Sequence, residues 1–566
     1  MVEIKKETIY AYALKNAVEH EGKAQSGSVL SSLFAEGLDK SKVKDIMPQI
    51  NEILKEVNSL SLQEQEKKYE EVKESLKKRD TRQEGELPEL PNAEMGKVVM
   101  RVAPFPSGPL HIGNARQVIL NDEYVKKYQG KLILVIDDTI GSEAKPIEPE
   151  AYKMIPESFD WLGINYDKKI VYKSDRLQTY YDYAEELIKK GYMYVCSCPQ
   201  EQVKEFREKG KECSCRNLPS LEQLNRWKQM FKAKEGDFTV RLKTNMQDSD
   251  PAFRDRIMFR ISDREHPKVG RKFRVWPLLE FSWAIDDHLL GMTHIIRGVE
   301  LIMETRVESF IWDIFKWKHP ETIHTGLLRI DGVKLSKSKG SKEVKSGAYL
   351  GWNDPRLWSL QSLRDRGILP EAIRTFIKAM GITKSNSTVS VEILYTINRK
   401  LLEKTSPRYF FVSNPVKIHI AGCPELESQL PFHASEDKGF RIYRTNQDFY
   451  ISKEDTGNLQ GNYRLIHLLN FKADKHDLKE SFSFISQNPE EKLKVKYLQW
   501  VPADTENVNV EIRMPDNSII TGLAEPAVDK LNPGSIIQFE RFGFVRLYKL
   551  DKKNKKAEFW MAHKWN

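Results

Sequence analysis

Apolar and polar positions recur with two different periods along this chain, and the change of period divides it. Over Ile46 to Tyr69 the apolar groups Ile50, Ile53, Leu54, Val57 and Leu60 follow helical spacing, opposite a face dense in Glu and Lys. Residues 1 to about 77 therefore read as helical. The stretch from Lys78 to Gly96 carries Pro88 and Pro91 amid charge and reads as a linker. From Lys97 short apolar runs take over. Val98 to Ala103 and Leu132 to Ile136 read as buried strands. Patterns through Val118, Leu120, Tyr124 and Val125, and through Tyr180, Tyr183, Ala184, Leu187 and Ile188, read as amphipathic helices. Strands alternating with helices predict a doubly wound parallel sheet with ligands at the strand C-termini. That patterning resumes at Phe281 and at Thr293 to Ile296. In between, roughly 191–275 reads as an insertion. It holds an alternating strand, Phe238 to Leu242, and the basic residues Arg254, Arg256, Arg260, Arg271, Lys272 and Arg274. Residues 346 to about 400 return to helices, with Ile373, Phe376, Ile377 and Met380 on one face. From about 408, segments such as Val508 to Ile512 and Ile519 to Gly522 predict an all-β tail of sandwich or barrel type, with its own core.

Length and composition fit this picture. A chain of 566 residues implies several domains, and 40% hydrophobic with 30% charged residues is ordinary for a globular protein. The longest clean apolar run, Leu132 to Ile136, is far too short to span a bilayer, and the N-terminus shows no signal-peptide pattern. A cytoplasmic protein without a membrane partner is expected. The net charge of +9 suits a polyanionic partner.

Four of the five cysteines form a pattern: Cys196-Ser197-Cys198, fourteen intervening residues, then Cys213-Ser214-Cys215. Two Cys-x-Cys knuckles supply the ligand set of a closed tetrahedral zinc site. Four sulfur ligands leave no open position, so the expected role of the Zn2+ is structural. Cys423 stands alone and reads as a small buried apolar residue.

Two further segments carry chemistry. Pro106-Ser107-Gly108-Pro109-Leu110-His111-Ile112-Gly113-Asn114 joins the first strand to a helix N-terminus, a geometry that binds phosphate. Read blandly, it is a helix start with a capping Asn. Lys334-Leu335-Ser336-Lys337-Ser338 places lysines on a loop flanked by Gly332 and Gly340, where they can neutralise a reacting phosphate. The pair resembles the two signatures of class I aminoacyl-tRNA synthetases. Arg101-Val102-Ala103-Pro104, Ile136-Asp137-Asp138-Thr139, the run Ala284 to His294 with Arg297-Gly298, and Ile537 to Arg546 resemble the glutamyl and glutaminyl branch. With its helical N-terminal extension and β-rich tail, the chain is most similar to archaeal-type glutamyl-tRNA synthetases.

The resemblance implies ATP-dependent attachment of L-glutamate to tRNA(Glu) through glutamyl-adenylate, with Mg2+ accompanying ATP. Charging of tRNA(Gln) is left open, as are protein partners and oligomeric state. By position, Pro106, Ser107, Gly108, His111, Gly113, Asn114, Leu335, Ser336 and Lys337 lie against ATP. His111, Asn114, Lys334 and Lys337 act on the reacting phosphates. Arg101, Asp137 and Arg297 hold glutamate. The implied organisation is a helical extension and linker (1–95), two halves of a Rossmann-like catalytic domain (96–190 and 276–345), and between them an acceptor-end-binding insertion with the zinc site (191–275). A helical stem-contact region (346–407) and an anticodon-binding β-barrel region (408–566) follow. In the tail Arg408, Tyr443, Arg444, Trp500 and Arg541 are candidates to stack on or contact unpaired bases. The chain departs from the family at Asn114, where a second histidine is usual, at Leu279, where relatives place a tyrosine, and at Phe105 and Val135. Three other readings compete. They are a glutaminyl-tRNA synthetase, a non-catalytic tRNA-binding paralogue, and a nucleotidyltransferase acting on a small molecule.

Overall fold

The computed structural model describes residues 5–565 except 21, 36–37, 39–41, 74–75, 77–85, 141–145, 334–336, 457–458, 477–478 and 491. Much of the expected linker and Lys334, Leu335 and Ser336 of the second signature lie outside the described residues, as does the side chain of Lys337. The chain forms two compact units, Met1–Glu86 and Leu87–Asn566.

The first unit is helical: α1 (Lys6–Glu19), α2 (Ser26–Ala35), α3 (Val43–Asn58) and α4 (Leu62–Val72). They bury Ile9, Leu14, Val29, Leu33, Ile50, Ile53 and Val57 against one another. The periodic stretch from Ile46 to Tyr69 is helical, as two helices. Ser61 starts the second with a capping box, its hydroxyl accepting from the Glu64 N–H while the Glu64 carboxylate accepts from the Ser61 N–H.

In the second unit, β1 (Val99–Val102), β2 (Lys131–Ile136) and β3 (Asp167–Tyr172) form a parallel sheet in that order. The parallel pair β8 (His294–Gly298) and β9 (Glu321–Thr325) continues it on the other side of β1. Thr293 makes the join, its N–H donating to the Val99 carbonyl at 2.9 Å and its hydroxyl oxygen accepting from the Val99 N–H at 2.9 Å. The spatial order β3-β2-β1-β8-β9 reverses direction between β1 and β8. In an open α/β sheet that reversal opens a crevice at the strand C-termini. Helices α5 (Ile112–Lys127) and α6 (Ala151–Trp161) follow β1 and β2, and α7 (Leu177–Lys189) follows β3.

The insertion is an antiparallel sheet of β4 (Met193–Cys196), β5 (Thr239–Leu242), β6 (Ile257–Ile261) and β7 (Val275–Pro277), with α8 (Gln200–Lys209) and α9 (Ser220–Met230) between β4 and β5. Phe281, expected in a strand, lies instead in α10 (Leu279–Leu289), where Glu280 to Asp287 are all buried. A short apolar run buried on all sides gives no period that separates strand from helix. After α11 (Ile302–Phe315) come β10 (Leu328–Asp331), α12 (Lys337–Lys345), α13 (Leu360–Arg366), α14 (Pro370–Met380), β11 (Ser387–Ser390) and α15 (Val391–Thr405).

The tail is two seven-stranded sheets, one inserted in the other, and a two-stranded hairpin of Leu426–Pro431 and Phe440–Thr445. The chain enters the first through Arg408–Tyr409 and Phe411–Ser413. It then builds the whole second sheet between Pro415 and Pro502, and returns at Val508–Arg513 to finish the first. Each sheet encloses its own core. The tail's independence is incomplete, contrary to expectation. Phe544 and Ala562 belong to the core that also holds Leu363, Ile373, Phe376 and Leu402. The buried Arg366 guanidinium donates to the carbonyls of Met561 (3.2 Å) and Ala562 (2.9 Å). No helix among the described residues is long and apolar enough to cross a membrane.

Candidate active site and cysteine cluster

The loop leaving β1 ends at His111, which caps α5. The His111 Nδ1 accepts from the Asn114 N–H at 3.3 Å, and the Asn114 carboxamide oxygen accepts from the His111 N–H at 3.2 Å. The Asn114 oxygen is thus spent on starting the helix, as the capping reading anticipates. Gly108 sits at φ +135°, and a Cβ there would lie 3.0 Å from the Trp352 ring. Only glycine suits that position. The loop is pinned from below: the Ile112 N–H donates to the Trp358 carbonyl at 3.1 Å and the Leu360 N–H to that of Leu110 at 2.8 Å. Pro106, Ser107, Gly108, His111, Gly113 and Asn114 are therefore gathered on one short loop and the first turn of α5. Of the second signature, the described part is the backbone of α12, which Lys337 opens.

Arg101, Asp137 and Arg297 converge at the C-termini of β1, β2 and β8, the crevice predicted by strand order. They are 6%, 1% and 4% exposed, so their charges need partners. Arg101 forks onto Asp287, with one arm at 2.8 Å. Arg297 forks onto Glu308 at 2.9 and 2.8 Å and lies 3.9 Å from Asp287. Asp137 faces Lys173, whose ammonium is 3.1 Å away and also donates to the Ser282 hydroxyl at 2.8 Å. The three cations surround one indole. Arg101, Arg297 and Lys173 lie 4.6, 4.9 and 5.0 Å from the ring centre of Trp283. The Trp283 N–H is buried without a hydrogen-bond partner among the described residues.

Burial weakens the hold of both Arg101 and Lys173 on their protons. Asp287 outweighs this for Arg101, which ends above its ordinary value, while Lys173 ends below its own despite Asp137. Lys173, Trp283 and Glu308 were not singled out from sequence. A lysine just past the end of a parallel strand, at the ligand-binding edge, was the available signal for the first. Nothing local marks the other two.

Glu308 is pushed up to about 7 by burial, with Arg297 pulling the other way and Asp287 adding to the rise. The unfolded chain loses this proton near the ordinary 4.5, so between about 4.5 and 7 the folded chain binds more protons. The Glu308 contribution to stability is complete below that window and is lost as pH rises through it. Glu308→Gln has no such loss. Its Tm relative to the parent should shift in the variant's favour by roughly 2 °C between pH 5 and pH 8. Thermal unfolding of both chains at the two pH values checks this, and parallel Tm curves would contradict it.

The four patterned cysteines come together. Their sulfurs all lie within 4.8 Å of one another, so the cluster can hold a metal ion. No disulfide joins any of the five cysteines. The Arg241 guanidinium lies 3.9 and 3.7 Å from the sulfurs of Cys196 and Cys213, and that of Arg226 lies 3.4 Å from Cys215. The hydrogen bond that Cys196 and Cys213 share pulls the Cys213 thiol down and pushes the Cys196 thiol up, with Tyr194 and Arg241 adding to the fall at Cys213. Cationic donors around thiols favour the thiolates that metals require. Cys423 is buried, as expected.

Four of the six basic residues noted in the insertion are half-buried and bonded within the chain. Arg254 donates to the Asp248 and Arg207 carbonyls, Arg256 pairs with Glu280 and Glu304, and Arg274 pairs with Asp263. Arg271 and Lys272 are exposed. In the tail, two base-stacking candidates are corrected. Trp500 is wholly buried against Phe410 and Phe449, and its N–H donates to the Ile466 carbonyl at 2.9 Å. Tyr443 is buried in the same core. Arg444 is exposed, Arg408 is half-buried, and Arg541 donates to the Tyr497 carbonyl.

Comparison with known proteins agrees with this arrangement. Residues 97–404 match the model for tRNA synthetases class I (E and Q), catalytic domain. Residues 406–487 and 497–548 match two models for the anti-codon binding domain of the same group. A curated glutamate–tRNA ligase from Pyrococcus furiosus is 44% identical, over 98% of this chain and 98% of its own. One from Methanocaldococcus jannaschii is 42% identical over 96% and 98%. One from Methanothermobacter thermautotrophicus is 39% identical over 98% and 99%. Likeness of this extent, running through catalytic and β segments alike, makes the chain a member of the class I tRNA synthetases (E and Q).

Proposed function

We propose that this chain attaches L-glutamate to tRNA(Glu) at the expense of ATP. The observation that carries the reading is the set of buried cations at the strand-order crevice, in a chain that aligns end to end with glutamate–tRNA ligases. A neutral carboxamide offers a guanidinium one acceptor oxygen and no charge where a carboxylate offers two oxygens and a charge, so the glutaminyl alternative is disfavoured. A crevice this heavily equipped argues against a non-catalytic paralogue.

In this reading the glutamate α-carboxylate attacks the α-phosphorus of ATP and pyrophosphate leaves. The terminal ribose hydroxyl of the tRNA then attacks the acyl carbon, and AMP leaves. Arg101 meets the side-chain carboxylate, since a guanidinium fork matches it. Arg297 is a further carboxylate contact, and Asp137 takes the α-ammonium. Trp283, one helical turn after Leu279, lines the same face of α10. Pro106, Ser107, Gly108, His111, Gly113 and Asn114 hold the nucleotide with Leu335 and Ser336, while Lys334 and Lys337 meet its phosphates. ATP enters with magnesium on its phosphates, to which no protein ligand is assigned. Positioning and charge stabilisation then account for most of the rate.

The cysteine cluster is read as a zinc site. Cys196, Cys198, Cys213 and Cys215 would hold Zn2+, which supplies a cross-link inside the insertion. Freshly purified, reduced protein should carry one zinc per chain, and less than half an equivalent would count against the site. The insertion (191–275) is assigned to the acceptor end, 346–407 to the stem, and the tail (408–566) to the anticodon arm. The two catalytic halves are 96–190 and 276–345, behind the extension 1–95, and the enzyme is assigned to the cytoplasm. tRNA(Gln) remains a second possible acceptor. The deciding experiment is tRNA-dependent ATP–pyrophosphate exchange with glutamate and glutamine side by side. Glutamate should be preferred by about a hundredfold or more in kcat/KM, since the site is built around a charge. Equal or better activity with glutamine would overturn the reading.

A further inference from the structure

Between the two signature segments lies a buried carboxylate that neither explains. Glu148 precedes α6, and its backbone N–H donates to the Pro106 carbonyl at 2.8 Å, which ties it to the first signature loop. Its carboxylate turns to α12. It accepts from the Ser341 hydroxyl at 3.1 Å and from the Lys345 ammonium at 2.5 Å. Glu148 thus spans the loop after β1 and the helix that the second signature opens.

A second contact joins the same two places. The Trp352 indole packs against Gly108, where an added Cβ would sit 3.0 Å from the ring. The same ring lies 3.8 Å from where a Cβ on Gly340 of α12 would be. The Trp352 carbonyl accepts from the Ser359 hydroxyl at 2.6 Å, and Ser359 bridges to His111. One indole therefore wedges between both glycine-bearing segments while its backbone is fastened to the first.

We propose that Glu148 is a positioning residue: with Trp352 it clasps α12 to the Pro106–Gly113 loop, so that the helix and the first signature loop keep one fixed spacing. This rests on the reading above that both segments meet ATP. Glu148 touches no reacting atom in this scheme and acts through the placement of Lys337, which opens the helix it holds. The pair contributes little to global stability, because Lys345 is 58% exposed and such pairs are screened by water. Its effect is concentrated on that spacing, where a misplacement of about 1 Å can cost orders of magnitude in rate.

The test uses the full chain and tRNA-dependent exchange with glutamate. Glu148→Gln and Lys345→Ala should each lower kcat about tenfold. KM for glutamate should stay within about twofold and Tm within about 2 °C. The double variant should be no slower than the slower single one, because both remove one clasp. Parent-like kcat in both singles, or penalties that multiply in the double variant, would overturn the clasp. A fall in Tm in step with the fall in rate would reduce Glu148 to a packing role. If the parent chain shows no glutamate-dependent exchange, the functional reading fails instead. The clasp is then read from backbone hydrogen exchange in α12 with ATP present. Glu148→Gln should speed exchange there and leave α5 unchanged, and equal rates in α12 would overturn it.

Discussion

Arg101→Gln should lower kcat/KM for glutamate by about a thousandfold in tRNA-dependent exchange, from two losses of the same sign. The substrate carboxylate loses its fork, and Asp287 is left buried without its main cation. Asp287 lies 3.9 Å from Arg297, so its unmatched charge turns toward the other guanidinium and competes with substrate for it. Removing one partner of a buried ion pair costs about 3–5 kcal/mol, so Tm should fall as well. Arg101→Lys separates the terms. It keeps a charge near Asp287 but lacks the planar fork that meets both oxygens of a carboxylate side by side. It should recover most of the stability and only part of the kcat/KM. Saturation curves in glutamate for the three proteins, with their melting curves, make the measurement. Parent-like kcat/KM in the Gln variant would remove Arg101 from the amino-acid pocket.

Lys337→Ala should slow adenylate formation by about two to three orders of magnitude, the usual size for one charge contact made in the transition state. tRNA affinity should barely change, because it is spread over many phosphate contacts. The lysine begins α12, a helix fastened at Ser341 and Lys345 to Glu148, so its backbone is held. Single-turnover measurement of adenylate alongside a filter-binding isotherm for tRNA separates the two effects. Near-normal adenylate formation with lost tRNA binding would reverse the assigned role.

What the sequence disclosed followed the range over which each signal acts. The strands around Met100 and Leu134, the helix after His111 and the cysteine pairs are local patterns, and each lies where its spacing places it. Phe281 shows the limit. Glu280 to Asp287 of this helix are all buried, so no solvent face betrays its period and its apolar run imitates a strand. The pocket shows another. Arg101 and Asp287 are 186 positions apart, and Lys173 and Ser282 are 109 apart. No window along the chain contains both halves of either pair. Trp500 and Tyr443 fail as base-stacking candidates for a related reason. An aromatic on an alternating strand points inward or outward according to register, which is set by pairing with distant strands.

The nesting of one β sheet inside the other bears on how this tail can be rebuilt. The chain crosses into the second sheet only after Ser413 and comes back before Val508, so the covalent links between the modules are two neighbouring threads, backed by the buried Arg441–Glu525 ion pair. A graft that exchanges the span between those threads keeps the inner module's grip on Arg366 through Met561 and Ala562, provided that it restores a cation where Arg441 meets the buried Glu525. Cutting the chain near Leu402 does the opposite, stripping Phe544 and Ala562 from the catalytic core and orphaning a buried guanidinium. Transplants that aim to change which tRNA is read should therefore be designed as cassettes with both ends inside the tail, never as terminal swaps.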